Sequence, residues 1–179
     1  MAETPAFEIQ DGVLVGYHGC EETVVVPKGV TGIGRAAFQG NKTMRHIRLP
    51  DTVTEIRFHA FADCECLEEA DIPGSVRVIA AHAFMRCGNL HSVTLHEGLQ
   101  EIGTWAFGDC PHLTSIAIPD TVQEIGRYAL GFRQASYEDR YVRGMSHSFY
   151  SGFHIHHNGN AATIQYIAFH KLSIRLVRG

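Results

Sequence analysis

Val76-Arg77-Val78-Ile79-Ala80-Ala81-His82-Ala83-Phe84-Met85-Arg86-Cys87-Gly88-Asn89-Leu90 decides the fold, because the stretches on either side of it repeat it. Phe38, Phe61, Phe84 and Phe107 stand 23 residues apart, with Leu130 in the fifth place. Ile33, Ile56, Ile79, Ile102 and Ile125 keep the same step, as do Ala37, Ala60, Ala83, Ala106 and Ala129. Pro27, Pro50, Pro73 and Pro119 hold the register, and His96 takes the one remaining place. A fixed period of this length is the signature of a solenoid, whose units bury their apolar faces only by stacking on one another.

Working outward, each unit has three parts. A short strand comes first (His46-Ile47-Arg48-Leu49, Glu69-Ala70-Asp71-Ile72, Ser92-Val93-Thr94-Leu95, Ser115-Ile116-Ala117-Ile118), with Ile47, Leu49, Val93, Leu95, Ile116 and Ile118 inward. Arg48, Asp71, Thr94 and Ala117 then point outward. Proline ends that strand at a corner, where its missing N–H costs no pairing. A second short strand follows, as in Val53-Thr54-Glu55-Ile56. The Ala-Phe pair then predicts a single helical turn that sends the ring into the core, and Met44, Leu67, Leu90 and Leu113 close the coil.

The ends differ. Phe7 to Tyr17 alternates around Asp11-Gly12, a favoured type I′ pair, and predicts a β-hairpin cap. Such a cap covers strand edges that a bare solenoid would expose. The expected organisation is one domain over 1–179, with a cap in 1–23, about five repeats in 24–130, a loop insertion in 131–152 and a C-terminal cap in 153–179. Within that last cap, 153–156 reads as a strand, Asn158-Gly159-Asn160 as a turn with a helix N-cap, 161–170 as a helix and 172–177 as a strand.

Composition narrows the function. At 179 residues, 45% hydrophobic and 19% charged, the chain has the makeup of one globular domain. Its net charge of −4 argues against nucleic acid as a partner, and no apolar run reaches membrane-spanning length. Residues 1–7 carry neither the basic region nor the apolar core of a secretion signal, which predicts a cytoplasmic protein as given. Within a longer precursor, the cell surface or secretion is the alternative. Cys64, Cys87 and Cys110 share a column at strand spacing, wider than a disulfide needs, and read as small buried thiols. Cys20 and Cys66 read as loop or surface residues.

The pattern Leu-x-x-Ile-x-Ile-Pro-x-x-Val-x-x-Ile-Gly-x-x-Ala-Phe-x-x-Cys resembles the BspA-type leucine-rich repeats. Leu113-Thr114-Ser115-Ile116-Ala117-Ile118-Pro119-Asp120-Thr121-Val122-Gln123-Glu124-Ile125-Gly126 matches it nearly throughout, as does Glu101 to Cys110. The resemblance covers about residues 24–132, and both ends are similar to that family's caps. It implies an α/β leucine-rich repeat solenoid of short parallel strands, with a hairpin cap and a β-α-β cap. It also implies a bacterial ligand-binding or adhesive module with no catalytic residues to carry over.

Candidate functional residues fall into three groups. His59, His82, Trp105 and Tyr128 form a column of rings just before the buried Ala-Phe pairs. That column is either a contact stripe, since tryptophan and tyrosine are enriched at interfaces, or rings stacked on one another to shield the coil edge. Arg48 and Asp71, in an outward strand column of mixed polarity, suit protein recognition. His154 and His156 project from one face of a strand and could begin a metal site with His157, His147 or His170 as a third ligand. Paired histidines on a cap strand are more often solvated. No phosphate loop, nucleophile elbow, His-Glu-x-x-His or Cys-x-x-Cys is present. The reading is therefore a non-enzymatic module without a cofactor, binding a protein, either monomeric or a weak homo-oligomer. A histidine-based metal protein or hydrolase and a self-associating structural module are the alternatives.

Overall fold

The computed structural model describes residues 6–134 and 147–170. Two parallel sheets form opposite walls of a solenoid. One has seven strands: β1 (Phe7–Gln10), β2 (Val13–Tyr17), β4 (Gly32–Ile33), β6 (Glu55–Ile56), β8 (Val78–Ile79), β10 (Glu101–Ile102) and β12 (Glu124–Ile125), in that spatial order. The other has four: β3 (Thr23–Val25), β5 (His46–Arg48), β7 (Glu69–Ile72) and β9 (Ser92–Leu95). Pairing advances by one repeat at each step, with Ile56 opposite Ile79 and His46 opposite Glu69. The first sheet opens with the expected hairpin, antiparallel β1 and β2, whose turn has positive φ at Asp11 and Gly12. That backbone is the type I′ geometry.

The Ala-Phe segment is built differently from the expected helical turn. It is a run of overlapping reverse turns whose amides point alternately inward along the chain and across to the next coil. In the third coil, Ala83 and Met85 donate to Ala80 and His82, three residues back. His82, Phe84 and Arg86 donate instead to Thr104, Ala106 and Gly108 of the following coil, at 2.8–2.9 Å. A helix would spend every amide locally, so stacking coil on coil removes half of its bonds. The chain accommodates this by visiting the left-handed region twice per coil. His59, His82, Trp105 and Tyr128 lie at φ 56–59°, as does Ala36, and Asp63, Arg86 and Asp109 at 55–61°. Such residues are strained unless their surroundings hold them, and here two sets of backbone bonds do so.

Inside, Phe38, Phe61, Phe84 and Phe107 stack with centroids 4.9, 4.8 and 5.2 Å apart and ring planes within 11°. Tyr17 and Phe7 of the hairpin extend the stack at 5.2 and 5.1 Å, so the cap continues the core. The alanine column is buried throughout. Cys64, Cys87 and Cys110 are free thiols, buried as expected, and donate to the carbonyls of Phe38, Phe61 and Phe84 at 3.1–3.2 Å. Burial pushes the Cys64 thiol up to about 12 and that of Cys87 well above its ordinary value. Cys20 is exposed and Cys66 half-buried.

The period ends at one residue. Each earlier rung joins an amide to the carbonyl 22 residues on, but Asp109 donates to Phe132, one residue further. The segment expected to be a loop, 131–152, begins and ends in strands: β13 (Phe132–Gln134) pairs antiparallel with β14 (His147–Phe149). After it, β15 (His154–His156) lies parallel to β11 (Ser115–Ala117). Helix α1 (Ala161–Phe169) starts where expected, Asn160 Oδ1 accepting from Thr163 N at 2.9 Å. The strand expected at 172–177 lies outside the described residues. Between β9 and β11 no ladder forms, and Val93 and Leu95 are only half-buried there. The Glu97 carboxylate joins the two coils instead, accepting from the amides of Asp120 and Thr121 at 3.1 and 3.3 Å.

Phe84→Ala removes a ring stacked on both sides, and the unfolding free energy should fall by about 3–5 kcal/mol in denaturant titration. With a chromogenic disulfide reagent, native protein should react at Cys20 first. Cys64, Cys87 and Cys110 should react only on unfolding, because the thiolate is the reactive form and burial suppresses it.

Candidate functional site

The strand wall carries a depression of about 880 Å³ over β5 and β7 and the corners that follow them. Its floor and rim include His46, Arg48, Asp51, Glu69, Asp71, His96 and Glu97. Strand alternation aims His46, Arg48, Glu69 and Asp71 out, since Ile47, Ala70 and Ile72 occupy the inward places and are buried. His96 Nε2 lies 2.8 Å from Asp71 Oδ1, and His46 Nδ1 lies 3.7 Å from Glu69 Oε2. Arg48 stands opposite Asp71 in the ladder, yet Asp71 is engaged by His96. The exposed Arg48 guanidinium makes no ion pair among the described residues. Of the expected candidates, Arg48 and Asp71 therefore lie together in a concave, charged surface. His96 and Glu97 were missed. The available signal was the break in the proline column at His96, where a reaching side chain replaces a rigid corner.

The ring column lies elsewhere. Its left-handed backbone lays the side chains along the coil edge, and all four rings are half-buried. They form two groups. His59 stacks on Phe58 with centroids 4.0 Å apart and meets His82 edge-on at 5.1 Å, while Arg35 sits over the Phe58 ring at 5.2 Å. Trp105 packs on Tyr128 at 5.2 Å and lies flat over Gly108, where an added Cβ would come within 2.2 Å of the indole. Tyr128 also contacts His147 and His170, at 3.8 and 5.0 Å between centroids. Its amide donates to His170 Nε2 at 3.4 Å.

The histidines of the C-terminal cap do not converge. His154 is exposed and His156 half-buried on β15, with Ile155 buried between them. His157 is buried, and its Nδ1 accepts from Gly159 N at 3.0 Å, holding the turn. His147 and His170 belong to the aromatic group around Tyr128. Among the described residues no three His, Cys, Asp or Glu side chains are placed to hold a metal ion.

Charges also link the coils. The Arg86 guanidinium binds the Asp63 carboxylate, Nη2 to Oδ2 at 2.9 Å, and holds it below the usual carboxylate range. Burial, with Arg86 nearby, depresses both His59 and His82. An imidazole so depressed takes up its proton more readily in the unfolded chain. The stability it contributes is complete above its ordinary pKa and is lost as pH falls through the depressed folded value. The melting temperature should therefore drop between about pH 7 and 5, and less steeply in a His59→Asn/His82→Asn variant. Asparagine tolerates the left-handed backbone, so the variant isolates the titration.

Comparison with known proteins completes the picture. The BspA type leucine-rich repeat region family matches residues 16–136 in six copies. Among solved structures, the T. pallidum leucine-rich repeat protein TpLRR is 31% identical with a TM-score of 0.64, over 70% of this chain and 64% of that one. The pneumococcal vaccine antigen PcpA superposes over 97% of this chain and 45% of its own, with a TM-score of 0.72 and 18% identity, a likeness of fold. The chain thus spans less than two thirds of the length of either protein. No curated protein matches. No helix among the described residues is long and apolar enough to cross a membrane. The repeat unit, its register and the family match over residues 16–136 agree, and this chain belongs to the BspA type leucine-rich repeat family.

Proposed function

We propose that the chain is a non-enzymatic bacterial interaction module that binds another protein through its strand wall. The observation that carries this reading is the depression over β5 and β7, where the exposed Arg48 guanidinium lies beside four carboxylates and two histidines. Opposite charges on a concave surface favour a complementary partner and reject like-charged ones. The ring column is the weaker alternative, because its rings spend their faces on one another and on Gly108. Similarity to the T. pallidum leucine-rich repeat protein, 31% identical, supports a bacterial source.

Affinity capture from source lysate, with captured proteins identified by mass spectrometry, tests the reading. Arg48→Glu and Asp71→Arg should each lose a partner that wild type retains, with melting temperatures shifted little, since both side chains are exposed. Trp105→Ala should retain it. Recovery unchanged by the strand-wall variants and abolished by Trp105→Ala would move the binding surface to the ring column.

A further inference from the structure

The two walls are finished differently at the N-terminal end. The seven-stranded sheet is closed by the β1–β2 hairpin, whereas among the described residues the four-stranded sheet ends at β3, which pairs with β5 alone. Val26 N donates to Arg48 O and His46 N to Glu22 O, both at 3.0 Å. Even-numbered backbone groups of this stretch therefore face β5, and alternation turns those of Thr23 and Val25 to the open side. Val24 and Val26 are buried, but the Val25 side chain is 58% exposed. Three consecutive valines on an edge left unpaired among the described residues form a template for a further strand, the kind that folded proteins usually cover. The flanks carry opposite charges: Glu21, which accepts from the Tyr17 hydroxyl, and Glu22, 3.8 Å from the Arg45 guanidinium, precede the strand, and Lys28, which makes no ion pair among the described residues, follows it.

We propose that β3 pairs antiparallel with β3 of a second copy of this chain, giving a two-fold dimer through continued strand pairing. An antiparallel arrangement sets the acidic flank of each copy beside Lys28 of the other, whereas a parallel one would set like against like. A two-fold contact is self-complementary and closes at two copies. Among the described residues β15 pairs with β11 alone, but it bears His154 and His156 and offers no charge pattern that matches the flanks of β3. So short an edge buries little area, and the dimer is weak and concentration-dependent. This surface is separate from the depression over β5 and β7, and either can fail alone.

Sedimentation velocity over a range of about 1 μM to 1 mM, bracketing weak association, is the test. Wild type should pass from monomer to dimer and stop there. Val25→Lys, which places a charge on an already exposed position, should leave only monomer. Lys28→Glu should weaken dimerisation about tenfold, and adding Glu21→Lys with Glu22→Lys should restore it. Circular dichroism of each variant checks the fold, and the charge series stands even if Val25→Lys fails to fold. A wild type that stays monomeric, a dimer indifferent to both variants, or growth beyond two copies (head-to-tail pairing of β15 with β3) would each overturn the proposal.

Discussion

Everything in this protein answers to the spacing between stacked coils. Parallel strands lie about 4.8 Å apart, and the same step must be met by whatever fills the interior. Phe38, Phe61, Phe84 and Phe107 meet it with nearly parallel rings 4.8–5.2 Å apart. The alanines before them stay small because a larger side chain would collide with the neighbouring coil. The backbone obeys the same step by sending alternate amides across to the next coil, so core and hydrogen bonding enforce one period together.

That constraint accounts for the unusual backbone. A helix cannot donate sideways, so the return segment is folded from reverse turns with two left-handed residues per coil. Histidine, tryptophan and tyrosine tolerate those positions because bonds on both sides hold them, and their rings are thereby laid along the coil edge. The aromatic column is thus as much a product of the turn geometry as of any partner. The strand wall is under no such demand. Its outward side chains are free to differ from coil to coil, which makes it the part of the surface where charge can carry specificity.

Departures from the repeat mark the places where the chain does something else. His96, in place of a proline, reaches back to Asp71 and leaves the neighbouring Arg48 without an ion pair among the described residues. Glu97 joins the fourth and fifth coils where the strand ladder lapses. The one-residue slip at Asp109 and Phe132 stops the period and begins the β13–β14 pair and the cap.

Residue spacing and short-range signals were enough to read the solenoid, its register, the buried phenylalanine, alanine and cysteine columns, the hairpin and the Asn160 helix cap. Each of these is a local pattern repeated at fixed spacing or a short-range signal, so counting residues is enough to find it. Arg48 and Asp71 were legible as outward positions, because strand alternation alone assigns them a face. The folded chain alone reveals that these two share a depression with His96 and Glu97, that the ring column is half-buried against itself, and that the cap histidines go to different neighbours. It alone showed that, among the described residues, one wall of the solenoid is left open at β3. Those outcomes depend on which side chain reaches which partner one coil away, and on which edges remain unpaired after the ends fold. Neither is set by a period; both are set by the packing of coils in space.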